Sequence, residues 1–360
     1  MKSIKRIVAL MLVTVMSLTV VGCHKKDEIA VTVKDVKFTS AYYMCALINA
    51  DMEAQSIVYE SLSDEEKQTE IDYYSKKVED TDYVTWVENK TVDDLKKMAA
   101  YKLLCKENKI ELKEDDVASA ESMAEYYWSY GYSTYFEPNG VSLNTYKAYL
   151  TDALYSEEYF KFLYGEEGEK AVSEEDVKTK IYDNFVIADI LSASYEEDAT
   201  DEAKAALKTK FEDYAKQLNE GKKTFEEIYK LQNPSTEEET TETGETSDEP
   251  TPKDKYAQII GSEDTSYNAD YYDTVKAMKT GEVKVEENSS ASGVYLYVKQ
   301  DIKADDYYLT TLDMECRHLT SDEAYEKLIE DYAKKLDVDI SKYATGQFKV
   351  KKIVYPTANS

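Results

Sequence analysis

The chain has 360 residues, 73 of them acidic against 44 basic, with a formal net charge of −29 and 42% hydrophobic residues. So acidic a surface repels phosphate backbones, which excludes nucleic acid as a partner, and disfavours electrostatic adhesion to anionic lipid. With two histidines, no Cys-x-x-Cys, no Ser–His arrangement and no phosphate-cradling glycine loop, the sequence implies no metal and no cofactor, and makes hydrolase or redox chemistry a weak reading.

Lys2, Lys5 and Arg6 precede an uncharged stretch, Ile7 to Val21, that ends in Val20-Val21-Gly22-Cys23 before the polar His24-Lys25-Lys26-Asp27. A basic start, a short apolar segment and a small residue at the cut describe a secretory signal peptide over residues 1–22. The stretch is short for a membrane span, which needs about 20 apolar residues. A cysteine directly after the small residue resembles the bacterial lipobox, in which signal peptidase II cuts before a cysteine carrying diacylglycerol. Cys23 is therefore the expected lipidation site, and the mature chain is expected on the outer face of the cell membrane. Acyl chains contribute about 0.8 kcal/mol per buried methylene, so two or three of them anchor a protein firmly. Basic charge carried almost wholly by Lys, and 33 Tyr against 8 Phe and 2 Trp, are the composition of a low-GC Gram-positive source. Cys45, Cys105 and Cys316 remain after lipidation; Cys45 and Cys105 could pair or stay as free buried thiols.

Residues 23–34 read as a polar tether leading to a strand or turn around Val31 to Phe38. Ser40 is expected to cap a helix whose apolar face holds Tyr43, Met44, Leu47, Ile48 and Met52. Ser63 precedes a helix expected to run through Ile71 and Tyr74, and Thr91 is expected to cap another with Leu95, Met98, Ala99 and Leu103 on one face. Further helices hold Met123 to Tyr127 and Leu143 to Leu154, with a turn at Glu137-Pro138-Asn139-Gly140. Residues 35–165 thus form an all-helical lobe rich in tyrosine.

Gly165 to Gly168 breaks the pattern, and Ser173 opens a helix. Asn184 to Tyr195 reads as a strand, followed by helices starting at Thr200 and Thr224, the first ended by Gly221. Residues 233–254 hold almost no apolar side chain and read as an acidic disordered loop. A helix over Ala269–Met278 and strands over Glu282–Glu286 and Gly293–Lys299 follow. Residues 302–360 supply a helix, Ser321 to Leu336, and a strand, Phe348 to Tyr355, expected to pack on the helical lobe.

Several segments carry a resemblance to a known class. "AVSEEDVKTKIYDNF", "VIADILSAS", "AALKTKFEDYAKQLNEGKKTFEEIYK" and "YYDTVKAMKTGEV" with "SGVYLYVKQ" resemble successive pieces of a parvulin domain. "LKKMAAYKLLCKENKIELKEDDV" and "GVSLNTYKAYL" are similar to helices of the flanking chaperone lobe. The order of the pieces resembles that of the PrsA and SurA class of extracytoplasmic foldases. The resemblance implies an α+β chain in which a parvulin-like domain of βα3βαβ2 type, residues 170–301, is inserted in a SurA-N-like helical lobe. It implies unfolded or newly secreted polypeptides as partners, with prolyl cis–trans isomerisation as the family activity.

The resemblance places Asp189 and Tyr295 where parvulins carry their two active-site histidines. The family's glycine-rich segment after the second helix is absent, with the acidic loop in its place. Asp189 interrupts the apolar run Phe185 to Leu191, where a buried carboxylate costs several kcal/mol unless paired or neutralised. On the parvulin pattern it is expected to project into a groove and stay hydrated. Catalysis would need a site favouring the twisted amide over the planar one. The first expectation is a chaperone or foldase with a degenerate isomerase domain. Its alternatives are a working isomerase using Asp189 and Tyr295, and a lipoprotein that captures one dedicated partner. For client binding, "EYYWSYGYSTYF" stands out, because no helical face could bury Tyr126, Tyr127, Trp128, Tyr130, Tyr132, Tyr135 and Phe136 together.

Overall fold

The structure is a computed structural model that describes residues 28–196, 198–234, 251–262, 269–288, 292–346 and 348–356. Cys23, the signal segment and most of the acidic loop lie outside the described residues. The chain is α+β, and its contacts divide it into two units, Met1–Leu163 with Glu323–Ser360, and Tyr164–Asp322.

In the first unit β1 (Ile29–Val33) pairs antiparallel with β2 (Val36–Thr39) and with β9 (Val338–Ile340), in the order β2-β1-β9. Helix α1 (Ser40–Ser61) is capped by Thr39, whose hydroxyl accepts from the Tyr42 amide at 3.2 Å. Ser40, expected as the cap, instead donates to the Glu28 carbonyl. The one-turn α2 (Asp64–Lys67) has a full capping box at Ser63 and Glu66 but stops there. Beyond it only Ile71 offers apolar surface before a 3-10 turn, Tyr73–Ser75, too little to extend a helix. A two-stranded ribbon of β3 (Lys77–Val78) and β4 (Thr81–Asp82) leads into α3, Tyr83–Asn108.

Helix α3 starts eight residues before Thr91, because Tyr83 and Val87 continue its buried stripe upstream of Leu95 and Ala99. Thr91 lies mid-helix and fully buried, its hydroxyl donating to the Val87 carbonyl at 2.7 Å. Leu47, Ile48, Ala50, Ala54 and Val58 of α1 share one core with Val87, Leu95 and Ala99 of α3. Each large side chain buried there contributes about 1.5–3 kcal/mol. Helices α4 (Glu114–Tyr127), α5 (Ser133–Phe136) and α6 (Leu143–Tyr164) follow. Phe348 to Tyr355 is a 3-10 turn, Val350–Lys352, within coil; its inward residues Phe348, Val350 and Ile353 break the two-residue alternation of a strand after Val350.

The second unit begins with α7 (Glu174–Asn184), capped by Ser173, and β5 (Phe185–Ser194). Helices α8 (Asp201–Asn219) and α9 (Phe225–Gln232) are capped by Thr200 and Thr224, and Gly221 at φ +64° ends the first. Strand β6 (Ala257–Gly261), which the sequence reading missed, precedes α10 (Ala269–Ala277), β7 (Val283–Asn288) and β8 (Gly293–Gln300). The four strands form one antiparallel sheet in the order β6-β5-β8-β7. Tyr271, Val275 and Met278 cover one face; Phe211, Tyr214 and Ile228 cover the other.

The expected Ser321 helix starts fifteen residues earlier, as α11 (Asp306–Ala333). Leu312 and Cys316 pack with Val177, Ile181 and Phe185, which is why the second unit extends to Asp322 and not to residue 301. Arg317, 3% exposed, donates to the Asp313 carboxylate and to the carbonyls of Tyr164 and Val172. Cys45, Cys105 and Cys316 are all buried free thiols.

Candidate functional site

Asp189 and Tyr295 lie on adjacent strands, β5 and β8, but not opposite each other. Asp189 pairs with Val298, and Tyr295 pairs with Ser192. Paired residues share a face of an antiparallel sheet, and faces alternate along each strand. Asp189 and Ser192 are three residues apart, so Asp189 and Tyr295 project from opposite faces. The packing agrees. Tyr295 joins Val186, Ala188 and Ile190 against α10, whereas Leu191, Val294 and Leu296 on the Asp189 face pack against Phe211 and Tyr214. The expected pair across one groove is therefore corrected: no single prolyl peptide could touch both side chains.

Tyr295 is 8% exposed, with ring centroids 5.0 Å from Tyr271 and 6.2 Å from Tyr297. Tyr271 and Tyr297 are themselves 5.8 Å apart, so three rings fill the space between α10 and the sheet. Such tilted and stacked contacts add about 0.5–1.5 kcal/mol each beyond their buried area.

Asp189 is 1% exposed, which corrects the expectation that it stays hydrated. The physical reason is its strand: residues Phe185 to Leu191 are buried on both faces, so no position in that run reaches water. Gln300 Nε2 donates to Asp189 Oδ2 at 2.7 Å, and Oδ1 has no hydrogen-bond partner among the described residues. Burial, and next the nearby Asp254 carboxylate, push its pKa up to about 7, against the lowering effect of the Gln300 bond.

The aromatic segment Tyr126–Phe136 is sorted by a break in helix geometry. The α4 helix passes into a π turn, Trp128–Tyr132, in which Gly131 has φ +125° and ψ −10°. A side chain at that φ would be strained, so glycine makes the break possible. The extra residue of the π turn rotates successive rings to different sides. Phe136 is fully buried, while Tyr127, Trp128 and Tyr135 pack half-buried on the first unit's core. Tyr126 and Tyr130 are 59% and 77% exposed and stack at 5.8 Å with an interplanar angle of 16°. Tyr132, 38% exposed, stacks on Tyr127 and Phe136. From Glu114 to Tyr146 every charged residue is acidic; the nearest cation in the chain that follows, Lys147, pairs with Glu125.

Asp51 and Gln300 join these residues without having stood out in the sequence. Asp51 is fully buried and accepts from Tyr83 at 3.0 Å, Gln55 at 2.8 Å and Tyr355 at 2.5 Å. Its signal was positional: it follows Leu47 by four residues and Ile48 by three, on the apolar stripe of α1. Gln300 follows Val298 in the alternation of β8, on the face that Asp189 occupies. Among the described residues no group of three or more His, Cys, Asp or Glu could hold a metal ion, and no helix is long and apolar enough to cross a membrane.

No family model matches the chain, and no curated protein matches it. The chain is similar to PrsA foldases of known structure. Foldase protein PrsA from Streptococcus pneumoniae is 18% identical, with a TM-score of 0.39 over 72% of this chain and 89% of that one. Foldase protein PrsA from Lactococcus lactis is 15% identical, with a TM-score of 0.38 over 89% and 99% of the two chains. PrsA from Bacillus subtilis is 14% identical, with a TM-score of 0.35 over 74% and 91%.

Proposed function

We propose that the protein is an extracytoplasmic chaperone of the foldase type, lipid-anchored through Cys23, which holds unfolded secreted polypeptides on its aromatic segment. The parvulin-like unit then serves as a scaffold without prolyl isomerase activity. The observation that carries this reading is the exposed Tyr126–Tyr130 stack, held in place by the core-packed Trp128 and Phe136. Rigid aromatic rings offer a large contact area at low entropic cost, and bind many sequences because they require apolar or cationic contact and not one exact shape. The absence of isomerase activity is supported by the sheet register, which separates Asp189 from Tyr295, and by the tyrosines filling the Tyr295 face.

The test is suppression of aggregation of a denatured secreted protein, followed by light scattering. Tyr126→Ala with Tyr130→Ala should require about tenfold more chaperone for the same protection, as expected when two exposed anchors are lost. Its melting temperature and circular dichroism should match the wild type, since neither ring is buried. Unchanged protection would contradict the assignment of this surface.

A further inference from the structure

Beyond the exposed stack, the tyrosine surface reaches a cavity of about 510 Å³ in the same unit. It is lined by Glu70, Asp72, Tyr73, Tyr74 and Tyr355, together with Gln55 and Ile71. We propose that this cavity is a subsite for a lysine side chain of the bound polypeptide, the ammonium lying among the tyrosine rings and carboxylates. The proposal rests on the chaperone reading and specifies what that surface prefers to bind.

Four observations converge. Tyr355 meets Tyr135 edge-on at 6.0 Å, so the cavity continues the aromatic segment. The charged lining residues, Glu70 and Asp72, are both acidic and exposed. A third carboxylate, Asp51, bonds directly to Gln55 and Tyr355, and its hydrogen-bond donors among the described residues are all neutral. Burial raises its pKa, against the lowering effect of those bonds. Finally, Lys351 Nζ already lies 5.8 Å from the Tyr74 ring centroid, so a ring of this site carries a cation in the structure.

Aromatic faces attract ammonium groups through the ring quadrupole, by about 0.5–1 kcal/mol when exposed and about 2 when desolvated. Carboxylates beside them strengthen the attraction and repel anionic side chains. A cavity of this size also accepts the four-carbon lysine stem, whose methylenes can lie along the rings. A divalent metal is the poorer occupant. It needs several converging oxygen ligands, whereas Glu70 and Asp72 are exposed and the rest of the lining is three tyrosines, Ile71 and Gln55.

Fluorescence anisotropy with labelled unfolded peptides tests this on the full mature chain. Three peptides differ only in a central lysine, norleucine or glutamate. The lysine peptide should bind about tenfold more tightly than the norleucine peptide, and the glutamate peptide more weakly than both. Glu70→Gln with Asp72→Asn should abolish the lysine preference and leave norleucine binding unchanged. Millimolar n-butylammonium should displace the lysine peptide selectively. Equal binding of lysine and norleucine peptides, or a preference that survives the double substitution, would overturn the subsite. Tyr126→Ala with Tyr130→Ala should weaken all three peptides alike. Failure of every peptide to bind wild type would instead overturn the chaperone reading on which the subsite depends.

Discussion

Asp189→Asn should stabilise the second unit at pH 8 by about 2–4 kcal/mol and change it little at pH 4.5. The carboxylate is buried, holds one hydrogen bond from Gln300 and leaves Oδ1 without a partner. Its folded pKa of about 7 stands above the ordinary 3.8, so the folded state keeps a proton that the unfolded chain releases. The contribution of Asp189 to stability is therefore greatest below pH 4 and falls as pH rises towards 7, where the carboxylate must be carried ionised inside the fold. A shift of three units corresponds to about 4 kcal/mol, and the asparagine amide in place of Oδ1 gives back part of this. The isosteric amide cannot ionise, so the part of the slope that Asp189 supplies disappears in the variant. Urea unfolding of wild type and variant at pH 4.5, 6 and 8 measures the difference free of other titrating groups. A gain that does not grow with pH, or a loss of stability at pH 8, would show that Asp189 is ionised and solvated.

Arg317→Met should cost about 3–4 kcal/mol in the same unit. Arg317 is the single arginine among the described residues, and it spends its guanidinium on one region. Nε and Nη2 donate to Asp313 at 2.7 and 3.0 Å, and Nη1 donates to the carbonyls of Tyr164 and Val172 at 3.0 Å each. Methionine preserves much of the buried stem but leaves two carbonyls and a carboxylate without their donor. The planar fork explains why lysine, the strongly basic residue used elsewhere among the described residues, does not serve here. Lysine at 317 should recover less than half of the loss. Denaturant midpoints, together with faster proteolysis between Gly165 and Lys170, provide the check. A loss under about 1 kcal/mol would mean the clasp is dispensable.

Much of the fold was legible in the sequence because its punctuation is local. Ser63, Ser173, Thr200 and Thr224 cap helices where they were expected to, each by accepting from an amide three residues on. Thr91 misled because a capping residue followed by two aspartates looks the same when the helix began two turns earlier. Strand β6 was missed because Ala257–Gly261 follows a long acidic stretch and is only five residues, with Ile259 and Ile260 its apolar content. The pairing that makes it a strand is with β5, some seventy residues away, and no local pattern records that. The candidate site failed for a related reason. The resemblance placed Asp189 and Tyr295 each on the right strand, but face is decided by register, and one step of register reverses every side chain. The sorting of the aromatic segment depended on a π turn at Gly131, which ordinary helical periodicity cannot anticipate.

On the proposed reading, the second unit keeps a four-stranded sheet without prolyl isomerase chemistry. Protease-coupled isomerisation of a proline-containing tetrapeptide tests it most directly, run on the same preparation whose aggregation suppression is measured. The expected rate equals the uncatalysed one and is identical for wild type, Asp189→Asn and Tyr295→Phe, alongside intact protection of unfolded clients. Acceleration by wild type that is lost in Asp189→Asn and in Tyr295→Phe would contradict it.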